Sequence, residues 1–106
     1  VKVCINIPYQ KNIFPTVLTD TYENILNYVF QTQNVYTMSV SDYSFVLSYE
    51  HYSYESIINH TATLIYRALK NDQPDSVLYG PVLLISNDNK LDPNILERIC
   101  YVHANL

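Results

Sequence analysis

The chain opens on a strict alternation. In "VKVCINI", Val1, Val3, Ile5 and Ile7 share one face and Lys2, Cys4 and Asn6 the other. This period-2 pattern predicts a strand over residues 1–7, stopped by Pro8. Residues 9–19 read as a connector, with a short extended piece around Ile13 to Leu18. The period then changes. Along "DTYENILNYVFQTQ", Tyr22, Ile25, Leu26, Val29 and Phe30 recur at helical spacing and form one apolar stripe. Asp20 is placed to cap the first turn, with Glu23 as its capping-box partner.

"NVYTMSV" and "YSFVLSY" alternate again around Ser41-Asp42, and so short a connection predicts an antiparallel hairpin. Residues 54–71 return to helical spacing, with Ile57, Thr61, Leu64, Ile65, Ala68 and Leu69 on one stripe and an end near Asn71. The run "SVLYGPVLLIS", residues 76–86, is almost continuously apolar and suits a strand covered on both faces. "LDPNILERICYVH" closes the chain as a helix capped by Asp92, with Pro93 at its first position and Ile95, Leu96, Ile99 and Val102 turned inward.

The first six elements follow the order of a ferredoxin-like split β-α-β (βαββαβ) sandwich, an α+β fold with an antiparallel sheet and two helices on one face. The C-terminal helix is an addition that covers the open face or an edge. The first and last strands are the most apolar and are expected side by side in the middle of the sheet. With 106 residues and no internal repeat, the chain reads as a single α+β domain, residues 1–106.

Gly80 is the only glycine, and Pro81 follows it at the start of that last strand. Two readings stand side by side. Gly80 supplies a backbone angle closed to other residues at a kink or bulge, where the missing N–H of Pro81 does no harm. Alternatively, it marks the close approach of a ligand or a second chain.

The stretch "LYGPVLLIS", preceded by "NHTATLIY" and followed by "LDPNILERI", resembles a small-domain family of phages, large DNA viruses and some bacteria that is known only as a domain of unknown function. The resemblance extends to the opening strand, the helix "YENILNYV" and the hairpin. The glycines usual after the first helix and in the hairpin turn are missing, and His60 stands where a basic residue is expected after Asn59. What the resemblance implies is viral or phage provenance, hence an intracellular protein of the host cytoplasm, more than any activity.

Composition narrows the function classes. The net charge is −4 with only six Lys and Arg, spread singly. No cationic cluster is available for phosphates, so neither nucleic acid nor an anionic membrane is an expected partner. Tyrosine is abundant at eleven residues, a bias that A/T-rich codons also produce. The chain starts at Val1 rather than Met and is expected to be cut from something longer. Cys4 and Cys100 are expected as two reduced thiols. The triplet Asn59-His60-Thr61 has the form of a glycosylation site but falls within the expected helix.

Candidate chemistry is sparse. Cys100 and His103 share a helix face, and Cys4 with His51 or His60 would complete four zinc ligands, but they scatter over four elements and lack Cys-x-x-Cys spacing, so no metal and no cofactor is expected. No nucleophile elbow or glycine-rich phosphate loop is present. "YEHYSYES" is more distinctive, because Tyr49, Tyr52 and Tyr54 crowd around His51 at the hairpin end, with Tyr36 and Tyr43 as extensions of the patch. Tyrosines combine large contact area with a polar tip and suit interfaces. The chain therefore reads as a non-enzymatic accessory module that binds a protein partner, itself included as a homodimer, through this hairpin end or a sheet edge. A small-ligand sensor with its cleft at Tyr79 and Gly80 is the alternative, and a structural piece of a virion or larger assembly is the third.

Overall fold

The alternation in "VKVCINI" becomes β1 (Lys2–Ile7). In the computed structural model, which describes residues 1–51, 57–71 and 75–106, it is followed by β2 (Thr16–Asp20), α1 (Tyr22–Phe30), β3 (Val35–Val40) and β4 (Tyr43–Ser48). After a 3₁₀ turn over Tyr49–His51 come α2 (His60–Lys70), β5 (Val82–Ser86) and α3 (Pro93–Ala104). The five strands form one sheet in the order β2-β1-β5-β4-β3, with every neighbouring pair antiparallel. The protein is thus an α+β fold with β5 at its centre and β1 beside it.

Side-chain alternation divides the core in two. Ile5, Ile7, Phe45, Leu47, Val82 and Leu84 face α2 and α3, where they meet Ile65, Tyr66, Ile95 and Ile99. Cys4, Val46, Leu83 and Ile85 face the opposite way and meet Ile25, Leu26 and Phe30 of α1. Each such side chain contributes roughly 1.5–3 kcal/mol on full burial. The sheet therefore departs from the expected ferredoxin-like arrangement in three respects. It gains β2 at one edge, α1 and α2 lie on opposite faces with α3 beside α2, and β4 and β5, joined through α2, are direct antiparallel neighbours and not a split parallel pair. The reason for the two-sided cover is visible in β5: four consecutive apolar residues make both faces of the central strand hydrophobic, so both must be covered.

Local signals explain most boundaries. Thr21, not Asp20, is the N-cap of α1 and accepts from the Asn24 N–H, while Asp20 accepts from the Thr21 N–H and the Asn24 amide. Asp92 caps α3, with Pro93 in its first turn. The second helix starts at His60, later than its periodicity predicts, because Asn59 is its N-cap and Ile58 instead forms an antiparallel bridge with Tyr79.

Two asparagine amides close the seam between β1 and β5. Asn59 is fully buried, and its Nδ2 donates to the carbonyls of Ile7 at 2.8 Å and Gly80 at 2.9 Å, while its Oδ1 accepts from the Ala62 N–H. At the other end, Asn89 Oδ1 accepts from the Val3 N–H and its Nδ2 donates to the Val1 carbonyl. This amide stands in for the next residue of β5. The Asn59–Gly80 contact also answers the question of the lone glycine. Gly80 has φ 74°, is buried, donates to the Ile57 carbonyl and accepts from Asn59. The chain turns there with no room for a side chain.

Replacing Asn59 with Ala strands two buried carbonyls, each costing roughly 1–3 kcal/mol. Asn59→Ala is expected to lose about 3 kcal/mol or more of stability in urea unfolding. Asn59→Asp, which turns a donor into an acceptor facing those carbonyls, should lose at least as much. A loss within 1 kcal/mol of zero, read roughly against that scale, would remove Asn59 from this role.

Candidate functional site

Of the tyrosines that the sequence groups together, the structure brings Tyr36 and Tyr49 into contact and sets Tyr43 apart. Tyr49 is exposed at the end of β4, and its ring lies 4.7 Å from that of Tyr36, tilted by 44°. Tyr36 packs against the core and belongs to this end of the hairpin. Tyr43 does not. It begins β4 next to the Ser41-Asp42 turn, a strand length away, so it cannot extend a patch at Tyr49. Tyr52, Tyr54 and the His51 side chain lie outside the described residues. Tyr79 is half-buried in its bridge with Ile58, and both backbone polar groups of Gly80 are spent inside the chain.

The cysteines and histidines are likewise dispersed. Cys4 lies in the α1 face of the sheet, whereas Cys100 rides on α3, which covers the other face; both are free thiols. Burial pushes the Cys4 thiol up to about 11, against a smaller lowering by Lys2. Among the described residues no three His, Cys, Asp or Glu group to hold a metal ion. His103 is buried. Its Nε2 donates to the Lys11 carbonyl, which forces the ring hydrogen onto that nitrogen, and its Nδ1 meets the Thr61 hydroxyl at 3.1 Å. Phe14 lies against the ring at 5.1 Å. The signal was its spacing: His103 lies four residues beyond Ile99, on the buried stripe.

An acidic cleft occupies the end of the sheet where β4 begins and α3 starts, lined by Asp42, Tyr43, Asn87, Asp88, Lys90 and Asp92. Tyr43 donates its hydroxyl to Asp92 Oδ2 at 2.7 Å, and the other oxygen of Asp92 accepts from the Asn94 N–H. Burial, reinforced by that bond to a carboxylate, pushes the Tyr43 phenol up to about 12. The same bond, with the Asn94 N–H, holds the Asp92 carboxyl below the usual carboxylate value. The Ser86 hydroxyl and the Lys90 N–H do so for Asp88. These hydrogen bonds are all spent on capping α3 and shaping the turn after β5. They fix the shape of a cleft that holds about 640 Å³.

At the opposite edge, β2 has no strand beyond it among the described residues. The Val3 N–H points toward the β5 side, where it reaches Asn89. In an antiparallel ladder successive residues alternate direction, so Val3 and Ile5 turn away from β2 and pair with Thr19 and Val17 without hydrogen bonds. The N–H and C=O groups of Val17 and Thr19 therefore point out of the sheet. Exposed apolar side chains flank this edge: Tyr28 of α1 beside Leu18 and Thr19 is 72% exposed, Phe14 beside His103 of α3 is 58% exposed, and Val17 on the strand itself is exposed. No sequence signal marked this edge beyond the short extended piece expected around Ile13 to Leu18.

No family model, curated protein or solved structure matches this chain. Among the described residues no helix is long and apolar enough to cross a membrane.

The Tyr43–Asp92 bond has a pH signature. A carboxyl whose folded value is depressed stabilises the fold above its unfolded value, near 3.8, and that contribution is lost as the pH falls through the folded value. Asp92→Asn should therefore shrink the loss of stability seen on acidification below about pH 4. Tyr43→Phe should move the Asp92 titration, followed by carboxyl NMR, upward toward 3.8. An unmoved titration would show that the bond does not form in solution.

Proposed function

We propose that the protein is a non-enzymatic binding module that engages protein partners through the β2 edge of its sheet. One observation carries this reading: the N–H and C=O groups of Val17 and Thr19 point outward from a strand that carries exposed Val17 and is flanked by exposed Tyr28. Edge strands are usually blunted by lysine, proline or a bulge, because unpaired backbone groups recruit other strands. From Thr16 to Asp20 there is neither lysine nor proline, and the register with β1 runs without interruption.

The other edge differs in chemistry. The two-residue turn makes Val40 and Tyr43 a hydrogen-bonded pair, so the outward residues of β3 include Thr37 and Ser39. Both are hydroxyl residues, and Thr37 also shares a side-chain hydrogen bond with Tyr22. Apolar exposure favours β2. The exposed Tyr49 ring at the hairpin end offers the module a second, smaller contact.

Val17→Lys puts a solvated charge on the edge without touching a ladder bond. Partners co-purifying with the wild-type chain should be lost with Val17→Lys and kept with Leu64→Lys, a change at an exposed apolar position on α2. Far-UV circular dichroism should match wild type for both. Retrieval unaffected by Val17→Lys would overturn the β2 edge as the binding surface.

A further inference from the structure

The chemistry beside β2 restricts what can occupy it, on the reading just given that this edge binds protein. Between β2 and α1 runs a groove walled by Leu18, Thr19 and Asp20 on one side and Asn24, Ile25 and Tyr28 on the other. It holds about 230 Å³. Small-molecule pockets run to about 300–1,000 Å³, so this groove suits one or two side chains better than a free ligand. It lies alongside the outward groups of Val17 and Thr19. A strand added there would direct alternate side chains into it.

Charge distinguishes the occupants. Asp20 closes one end of the groove, and exposed Glu23 stands in the first turn of α1 just beyond. Among the described residues no basic side chain lines the groove, and Lys2, the cross-strand neighbour of Asp20 on β1, stands outside it. A second copy is a poor complement. The two-fold register that uses all four outward groups is centred on Leu18 and sets Thr16, not a cation, opposite Asp20. It also brings two chains of charge −4 together with their Asp20 and Glu23 side chains near one seam. A foreign segment can supply what the edge lacks.

We propose that the β2 edge takes an extended segment of another protein as an added antiparallel strand, with an apolar side chain in the groove between Leu18 and Tyr28 and a lysine or arginine against Asp20. Backbone bonds to Val17 and Thr19 hold the segment, the groove selects its apolar residue, and Asp20 selects its charge. In the antiparallel sense the basic residue lies toward the N-terminal end of the segment, because β2 ends at Asp20.

The test uses a short synthetic peptide of alternating valine and threonine with lysine at its N-terminal end, and a matched peptide with glutamate there. NMR of the labelled chain should show the Val17 and Thr19 amides protected from exchange by the lysine peptide. The glutamate peptide should bind about fivefold more weakly, the range of an exposed charge pair, and Asp20→Asn should close that gap. N-methylation of the peptide edge that faces β2 should abolish binding. Equal binding of the two peptides, or binding that survives N-methylation, overturns the proposal, as does failure of every peptide to bind. If instead the Val17 and Thr19 amides become protected with rising protein concentration and light scattering shows a doubled mass, a second copy holds the edge. That result overturns the foreign segment while leaving the edge itself as the binding surface, which Val17→Lys tests separately.

Discussion

The amide of Asn59 reaches from the start of α2 into the gap where β1 and β5 part, and it holds both carbonyls that face it. The rest of the sheet depends on this closure. β1 and β5 come from opposite ends of the chain, so their pairing encloses nearly every other element and bears a large loop-closure cost. Only Ile5, Asn6 and Ile7 pair directly with β5. Beyond Ile7 the next residue is Pro8, which has no N–H to offer, and without Asn59 two buried carbonyls would be stranded. Asn89 performs the matching task beyond Ile5, where the chain has already turned out of β5. A short register thus becomes a continuous seam through two side chains that imitate peptide groups.

The lone glycine follows from the same constraint. Five described positions have positive φ: Gln31, Ser41, Asn71, Asn89 and Gly80. The first four are exposed or half-exposed, so polar side chains bear the strain with room to project. Gly80 alone is buried, pressed between the Ile57 carbonyl and the Asn59 amide. A chain that tolerates left-handed asparagine and serine at its turns reserves glycine for the place where a Cβ has nowhere to go.

Much of this was legible in the chain. Period-2 alternation marked β1 and the β3–β4 hairpin, and the stripe from Tyr22 to Phe30 marked α1. Asp92-Pro93 located the start of α3, and the apolar run after Pro81 marked a strand covered on both sides. What escaped is instructive. β2 has almost no pattern, because an edge strand buries little: of its five residues only Leu18 is half-buried and the rest are exposed. Asn59 looked like a glycosylation triplet inside a helix, since Ile57 and Ile58 extend the helical stripe backward, and nothing local shows that they pair with Tyr79 instead. Which face each helix covers is also non-local. Cys4, Val46, Leu83 and Ile85 make the second face of three strands apolar, which calls for a cover there but does not say that α1 rather than α3 supplies it. Tyr43 is no extension of a patch at Tyr49, because the six residues of β4 carry the two to opposite ends of the strand.

With helices on both faces, the edges are where the sheet leaves backbone groups directed outward. The β2 edge is short, and that sets the character of any association through it. A strand of five residues with four outward backbone groups buries less than the roughly 1,200 Å² of a stable interface, so binding there falls in the weak, exchangeable class. Backbone bonds read no sequence, and discrimination has to come from side chains beside the edge. Tyr28 and Ile25 supply an apolar wall on one side and Asp20 a charge at its end. Leu18, which forms the floor between them, is held in register by its pairing with Cys4. Cys4 is in turn packed against Leu83 and Ile85 of the central strand. The geometry of the edge is therefore inherited from the β1–β5 seam, and a fault at Asn59 would be felt at β2, although the two lie on opposite sides of β1.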